Sequence, residues 1–148
     1  MGAGYGHGAR TRTKRYGPLN PLDRCQEMSD IDVLKKIAAN HHVSSQRQHL
    51  MLCTAGLCSS PELAEDSWSY LKARIKELKL MDVESGVLRS KVGCLRVCKQ
   101  GPIMVSYPDG TWYHSCSPEV IEIILQEHVI KGVPVEEYIF AKGDLGAS

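Results

Sequence analysis

The sequence predicts a small α/β sandwich preceded by a basic, largely disordered extension. Three observations predict it. From residue 48 a short apolar run, a capped amphipathic helix and a second strand-like run follow one another. Such a strand–helix–strand unit is almost always a right-handed crossover with parallel strands. A hairpin around a Pro-Asp-Gly turn comes next. A second helix, opened by the same Ser-Pro-Glu triplet as the first, completes the order. The chain has 148 residues, which suits one domain and buries a core without covalent staples. Its 43% apolar and 24% charged content is that of an ordinary globular protein.

Residues 1–47 read as the extension. "MGAGYGHGARTRTKRYGPLNP" has many glycines and no hydrophobic period, which predicts disorder. "SDIDVLKKIAANHH" places Ile31, Leu34 and Ile37-Ala38 at helical spacing behind Ser29 as a cap. That predicts a short helix over about residues 30–39, marginal by itself, which either docks or frays. Residues 48–140 read as the folded domain. "HLMLC" is a strand that runs into Cys53. In "SSPELAEDSWSYLKARIKELKL", Ser60 suits an N-cap and Pro61 the first helical position. Leu63, Trp68, Leu71, Ile75 and Leu78 form its apolar face. "GVLRSKV" is the second strand and leads into Gly93-Cys94, and "PIMVSY" and "TWYHS" are the hairpin arms. In "SPEVIEIILQEHVIKG", Val120, Ile121, Ile124, Leu125 and Val129 face the core, Gly132 closes the helix and Pro134 follows. The β-α-β-β-β-α order is that of a thioredoxin-like sandwich. Residues 141–148 read as a flexible tail.

Net charge is +1, so total charge favours no class of partner. Its distribution is uneven: residues 1–48 carry eight Lys/Arg against four acids, and the rest carry ten against thirteen. A basic arm is joined to a mildly acidic body. No apolar run approaches the ~18 residues of a membrane span. The N-terminus lacks the apolar core of a secretory signal, so a cytoplasmic location is expected. Organellar targeting stays open, because residues 1–22 are basic and acid-free, although richer in Gly than in Ser. No phosphate loop, nucleotide fingerprint or Ser-His-Asp constellation is present. Neither a catalytic role nor a nucleic-acid partner is expected.

The six cysteines are Cys25, Cys53, Cys58, Cys94, Cys98 and Cys116. Without a secretion signal, metal or redox chemistry outweighs a disulfide framework. Cys53 ends the first strand and Cys94 follows the second. Parallel strands bring those ends to one edge, where α/β sheets bind ligands. Cys58 follows Cys53 after four residues, and Cys98 follows Cys94 after three. Two local thiol pairs therefore converge. Four thiolates cannot stay together without cations. Spacing alone leaves open a [2Fe–2S] cluster, a zinc ion, or disulfides. Thr54, Ala55 and Gly56 are small enough to let backbone N–H groups approach a sulfur. Gly93 and Gly101 relax the backbone around the second pair. The helix at Pro61 turns its positive dipole end toward the site. Arg96 and Lys99 place positive charge beside it, which favours a reduced cluster or an acidic partner.

With "CTAGLC", "CLRVCKQGP" and "YPDGTWYH" in view, the region from about Gln48 to Phe140 resembles the thioredoxin-like [2Fe–2S] ferredoxins. It also resembles the related small iron–sulfur subunit of the NADH-oxidising module of complex I and NAD-linked hydrogenases. The shared pattern is Cys-Thr–loop–Cys, then C-[LM]-x-x-C-x-x-G-P before a strand. The resemblance implies a [2Fe–2S] cluster held by Cys53, Cys58, Cys94 and Cys98, and one-electron exchange with redox partner proteins. Arg96 departs from the family, which often has Gly there. The extension matches no motif of the complex I subunit, which favours a free-standing carrier. The family also allows a homodimer, with the hairpin and "VPVEEYIF" as contact candidates. Three further readings remain: a redox subunit of a larger NADH-linked oxidoreductase, a redox- or iron-responsive binding module acting through the basic arm, and a zinc-stabilised interaction domain. Outside the site, Cys116 is expected to be a small buried hydrophobe and Cys25 an exposed thiol. His41-His42 are expected to be solvated at a helix end. His49 and His114 should pack or hydrogen-bond, and Trp112 and Tyr113 should pack with the hairpin.

Overall fold

The structure, a computed structural model, describes residues 21–55 and 57–143, with side chains from Asp30 onward. The chain divides into two compact units at Lys35/Lys36. Helix α1 spans Pro21–Asn40. It starts well before the expected residue 30, and Ser29 lies inside it rather than capping it. Pro21 occupies the first turn, where a missing N–H costs nothing. Leu22 to Ser29 contains no Gly or Pro but also no apolar period, so sequence pattern gives that half no signal. The disorder expected for residues 1–20 lies outside the described residues.

The second unit is built on a five-stranded sheet in the order β2-β1-β3-β4-β5. The strands are β1 (Gln48–Cys53), β2 (Val87–Val92), β3 (Met104–Tyr107), β4 (Thr111–Tyr113) and β5 (Ile139–Lys142). β1 and β2 run parallel, from Gln48 opposite Val87 to Cys53 opposite Val92, as the crossover rule requires. The remaining pairs are antiparallel. β5 is an addition to the expected order. "IFAK" is too short and too weakly alternating to announce a strand, and it gains its partners only from β4. Ala141 and Lys142, expected in the tail, belong to this edge strand. Residues 144–148 lie outside the described residues.

Helix α2 (Pro61–Glu77) is the crossover. Its Ser60 cap accepts from the Leu63 N–H at 3.2 Å. Helix α3 (Pro118–Ile124) opens the same way, with Ser117 accepting from the Val120 N–H. It continues as a wider π turn over Leu125–Ile130 and ends at Gly132, whose φ of +76° suits glycine. The π turn carries His128, whose buried ring meets the Tyr113 hydroxyl at 2.7 Å and the Asp109 carboxylate at 3.1 Å.

Leu50 and Leu52 of β1, Met104 of β3 and Tyr113 of β4 pack with Leu71 and Ile75 of α2 and Ile121, Ile124 and Leu125 of α3. The two helices are also tied by charge. The Arg74 guanidinium forks onto Glu122, with Nε donating to Oε2 at 2.8 Å and Nη2 to Oε1 at 2.9 Å. The hydrogen bonds from Arg74, Gln126 and Tyr70 hold the Glu122 carboxyl down to about 2, against burial that opposes them. With α2 fixed on the sheet, the loop before it is held at the carboxyl ends of β1 and β2.

Candidate metal centre

The site grows from those two strand ends. Cys53 is the last residue of β1 and is buried. Its N–H donates to the Ile103 carbonyl at 2.8 Å, and the next N–H, of Thr54, donates to the Val92 carbonyl at 3.0 Å. Sheet bonding therefore reaches Cys53 itself on the β3 side and continues one residue past it on the β2 side. It also takes the Thr54 N–H, which the sequence left available for a sulfur. Gly56 lies outside the described residues. The Cys53 thiol points at the Gly93 carbonyl, 3.7 Å away. Cys58 is half-buried in the loop before α2, and Cys94 and Cys98 are exposed in the loop after β2.

Backbone bonds lock the two loops together. The Gly101 N–H donates to the Cys58 carbonyl at 2.9 Å. Farther along, Ser115 N–H donates to Gln100 O at 2.6 Å and Cys116 N–H to Pro102 O at 2.9 Å, fixing the loop to the segment between β4 and α3. Gly101 does more than relax the chain. A Cβ there would lie 2.8 Å from the Cys58 Cβ and closer still to its Sγ. A Cβ at Gly93 would meet nothing within 4 Å. Only the second of the two glycines is required by contact.

The thiols act on one another in pairs. Burial and then the charge of Cys53 push the Cys58 thiol up. Lost hydration and then the charge of Cys94 push the Cys98 thiol up, with a smaller contribution from Cys53. Each pair resists a second negative charge until a cation supplies compensation. Among the described residues, no group of three or more His, Cys, Asp or Glu side chains is placed to hold a metal ion. The four thiols fall into two interacting pairs, with Cys53 also felt at Cys98. Two such pairs could hold a group with two metal ions, each taking two thiolates. Arg96 sits at φ +63°, in the left-handed region, at a cost of roughly 1 kcal/mol for a side chain. This turn aims its N–H at the Cys94 Sγ, 3.2 Å away, the kind of bond that tunes a ligating sulfur.

The other candidates fall outside this edge. Cys116 is fully buried, its thiol set between the Tyr113 and His114 carbonyls and pushed well up by burial. Cys25 lies outside the described side chains. His41 pairs with Asp82 at 2.7 Å. His49 bonds Ser90 at 2.7 Å and His114 bonds Ser115 at 2.9 Å. Trp112 lies edge-on to Phe140, with ring centroids 6.2 Å apart. One cluster escaped the sequence reading. Buried Gln48, Tyr113 and His128 form a polar group with the more exposed Asp109, away from the thiols. Its members are scattered over β1, a turn, β4 and the π turn, so no local pattern signals it.

No family model matches the chain. It is 31% identical over 98 residues to a protein named "Ferredoxin, 2Fe-2S" from Clostridium pasteurianum, an alignment covering 61% of this chain and 92% of that one. It is 43% identical over 51 residues to a "Ferredoxin, 2Fe-2S" from Aquifex aeolicus (strain VF5), covering 34% of this chain and 46% of that one. Among solved structures it resembles a thioredoxin-like [2Fe-2S] ferredoxin from Aquifex aeolicus with a TM-score of 0.58 and 24% identity, covering 70% of this chain and 99% of the other. A second, wild-type structure of that kind matches with a TM-score of 0.54 over 66% of this chain and 99% of the other. The structural likeness extends to the fold.

Proposed function

Because this chain belongs to the [2Fe–2S] ferredoxin family, with the thioredoxin-like fold, we propose that it is a one-electron carrier whose single cluster is held by Cys53, Cys58, Cys94 and Cys98. The observation that carries the assignment is that parallel β1 and β2 end side by side at Cys53 and Val92, with the Cys58 loop bonded to the Cys94–Cys98 loop through Gly101, while the thiols within each pair act on one another. Two pairs match two irons with two thiolates each. When bound, the cluster supplies a reversible one-electron couple. The chain's own residues supply the rest. Cys53 is anchored in the sheet by its own N–H, bonded to the Ile103 carbonyl, and by that of Thr54, bonded to the Val92 carbonyl. The N-terminus of α2, three residues after Cys58, offers its positive dipole end to added negative charge. The Arg96 N–H stabilises charge on the Cys94 sulfur. Exposed Cys94 and Cys98 bring this side of the site to the surface, where a redox partner protein reaches it. No described helix is long and apolar enough to cross a membrane. Residues 1–35, the first compact unit, are an appendage to this carrier on the same reading, and their deletion is expected to leave cluster assembly intact.

Anaerobic purification tests the assignment. The expected product is red-brown, with about two irons and two acid-labile sulfides per chain and a paramagnetic signal after dithionite reduction. Cys94→Ser is expected to lower iron content or shift the signal. A colourless protein with one zinc ion overturns the proposal, and an unchanged spectrum in Cys94→Ser removes that residue from the ligand set.

A further inference from the structure

The two cysteine loops, residues 54–60 and 93–102, carry only two ionisable side chains besides the thiols, Arg96 and Lys99. Both are positive and exposed. Among the described residues neither is held in an ion pair, whereas nearby Lys91 is bound to Glu65 at 2.5 Å. The sign is a local inversion, because the chain from residue 49 onward has more acids than bases. Arg96 is also held in the left-handed region, where glycine would be free of strain. Its bond to Cys94 uses only the backbone N–H, which glycine would supply equally. Loop geometry therefore does not account for the guanidinium. In the other cysteine loop, which the Gly101 N–H joins at the Cys58 carbonyl, Leu57 is an apolar side chain 74% exposed, next to Cys58. Exposed cations and an exposed apolar residue on two joined loops suit a docking surface in which Arg and the apolar residue carry affinity and the charge steers approach.

We propose that Arg96, Lys99 and Leu57 form the docking surface for a redox partner protein with an acidic face. The proposal rests on the electron-carrier reading. Partner carboxylates meet the two cations, Leu57 seats the contact, and the electron crosses at the side where Cys94 and Cys98 are exposed. The acidic remainder of the body repels the same partner and so favours this orientation.

The test uses full-length, cluster-loaded protein and two kinds of probe. In the first measurement, reduced protein gives one electron to anionic ferric EDTA or to cationic hexaammineruthenium(III), each metal going from the +3 to the +2 state, over about 20 to 300 mM salt. Wild type is expected to react faster with the anion at low salt and to lose that advantage as salt rises. The double variant Arg96→Glu/Lys99→Glu is expected to reverse the preference. The second readout is binding rather than electron transfer: fluorescence anisotropy of a labelled oligoglutamate peptide. Its affinity is expected to fall about tenfold in the double variant, to fall less in Leu57→Ser, and to keep its loop-dependent part when Arg10, Arg12, Lys14 and Arg15 are changed to Gln. Equal salt slopes for both metal probes, or oligoglutamate binding that depends on the arm alone, overturns the docking surface while leaving the carrier intact. A chain that takes up no iron overturns both.

Discussion

Gly101→Ala is expected to empty the site while leaving the fold standing. The new Cβ would lie 2.8 Å from the Cys58 Cβ and 3.1 Å from the Cys58 carbonyl carbon. Carbon atoms rest about 3.5–4.0 Å apart, so Cys58 must retreat by about 0.5–1 Å. Metal–thiolate geometry tolerates about 0.2 Å, so Cys58 cannot both clear the methyl group and keep its bond. Nor can the loops part freely, because the Gly101 N–H is bonded to the Cys58 carbonyl at 2.9 Å, worth about 1 kcal/mol. Overpacking of this kind costs about 1–3 kcal/mol, which the rest of the core withstands. The backbone of Gly101 is outside the left-handed region, so alanine brings a steric effect and no strain in φ. Gly93→Ala is the matched control, because its Cβ meets nothing within 4 Å. Both variants are to be reconstituted anaerobically with iron and sulfide, then compared by iron and sulfide analysis, visible circular dichroism and the spectrum of the reduced state. Iron in Gly101→Ala is expected to fall below half of wild type, with Gly93→Ala unchanged. A full cluster with a wild-type spectrum in Gly101→Ala refutes the reasoning.

Three other perturbations read the scaffold. Glu122→Gln is expected to destabilise at pH 7 by about 1–2 kcal/mol: the drop from 4.5 to about 2 allows about 3 kcal/mol, which partial exposure of the pair reduces. Because its folded value is depressed, this stability is present above about pH 4.5 and is lost as pH falls toward 2. Urea midpoints of the reduced, cluster-free chain should therefore converge between wild type and Glu122→Gln in that window, and a constant gap down to pH 2 contradicts the assignment. Leu71→Ala, at a fully buried position, should cost about 2–5 kcal/mol and lower Tm by at least about 8 °C in a thermal melt. Ser60→Ala removes the acceptor of the Leu63 N–H and should cost about 1 kcal/mol by urea titration, with faster loss of iron to a chelator because the capped turn adjoins Cys58.

What the sequence made legible was local or governed by topology. Ser60-Pro61 and Ser117-Pro118 announced both helix starts because a cap is chemistry within one turn. The four cysteines announced a shared edge because parallel strands leave little choice about where their carboxyl ends lie. What stayed hidden depended on partners distant in sequence. β5 exists only because β4 offers an edge, and the His128 cluster draws on four separate segments. The tight fit of Gly101 against Cys58 joins residues from different loops, so Gly101 read only as a flexible spacer. That contact changes how the site is to be understood. Its two thiol pairs come from separate loops, yet Gly101 is wedged on Cys58, Gln100 is bonded to Ser115 and Pro102 to Cys116. The second loop is braced both on the first and on the β4–α3 junction. Weakening that junction should therefore loosen the Cys94–Cys98 loop without touching a thiol, so on the proposed four-cysteine ligation the cluster is expected to be lost faster from a chain with a weakened hairpin or α3 start.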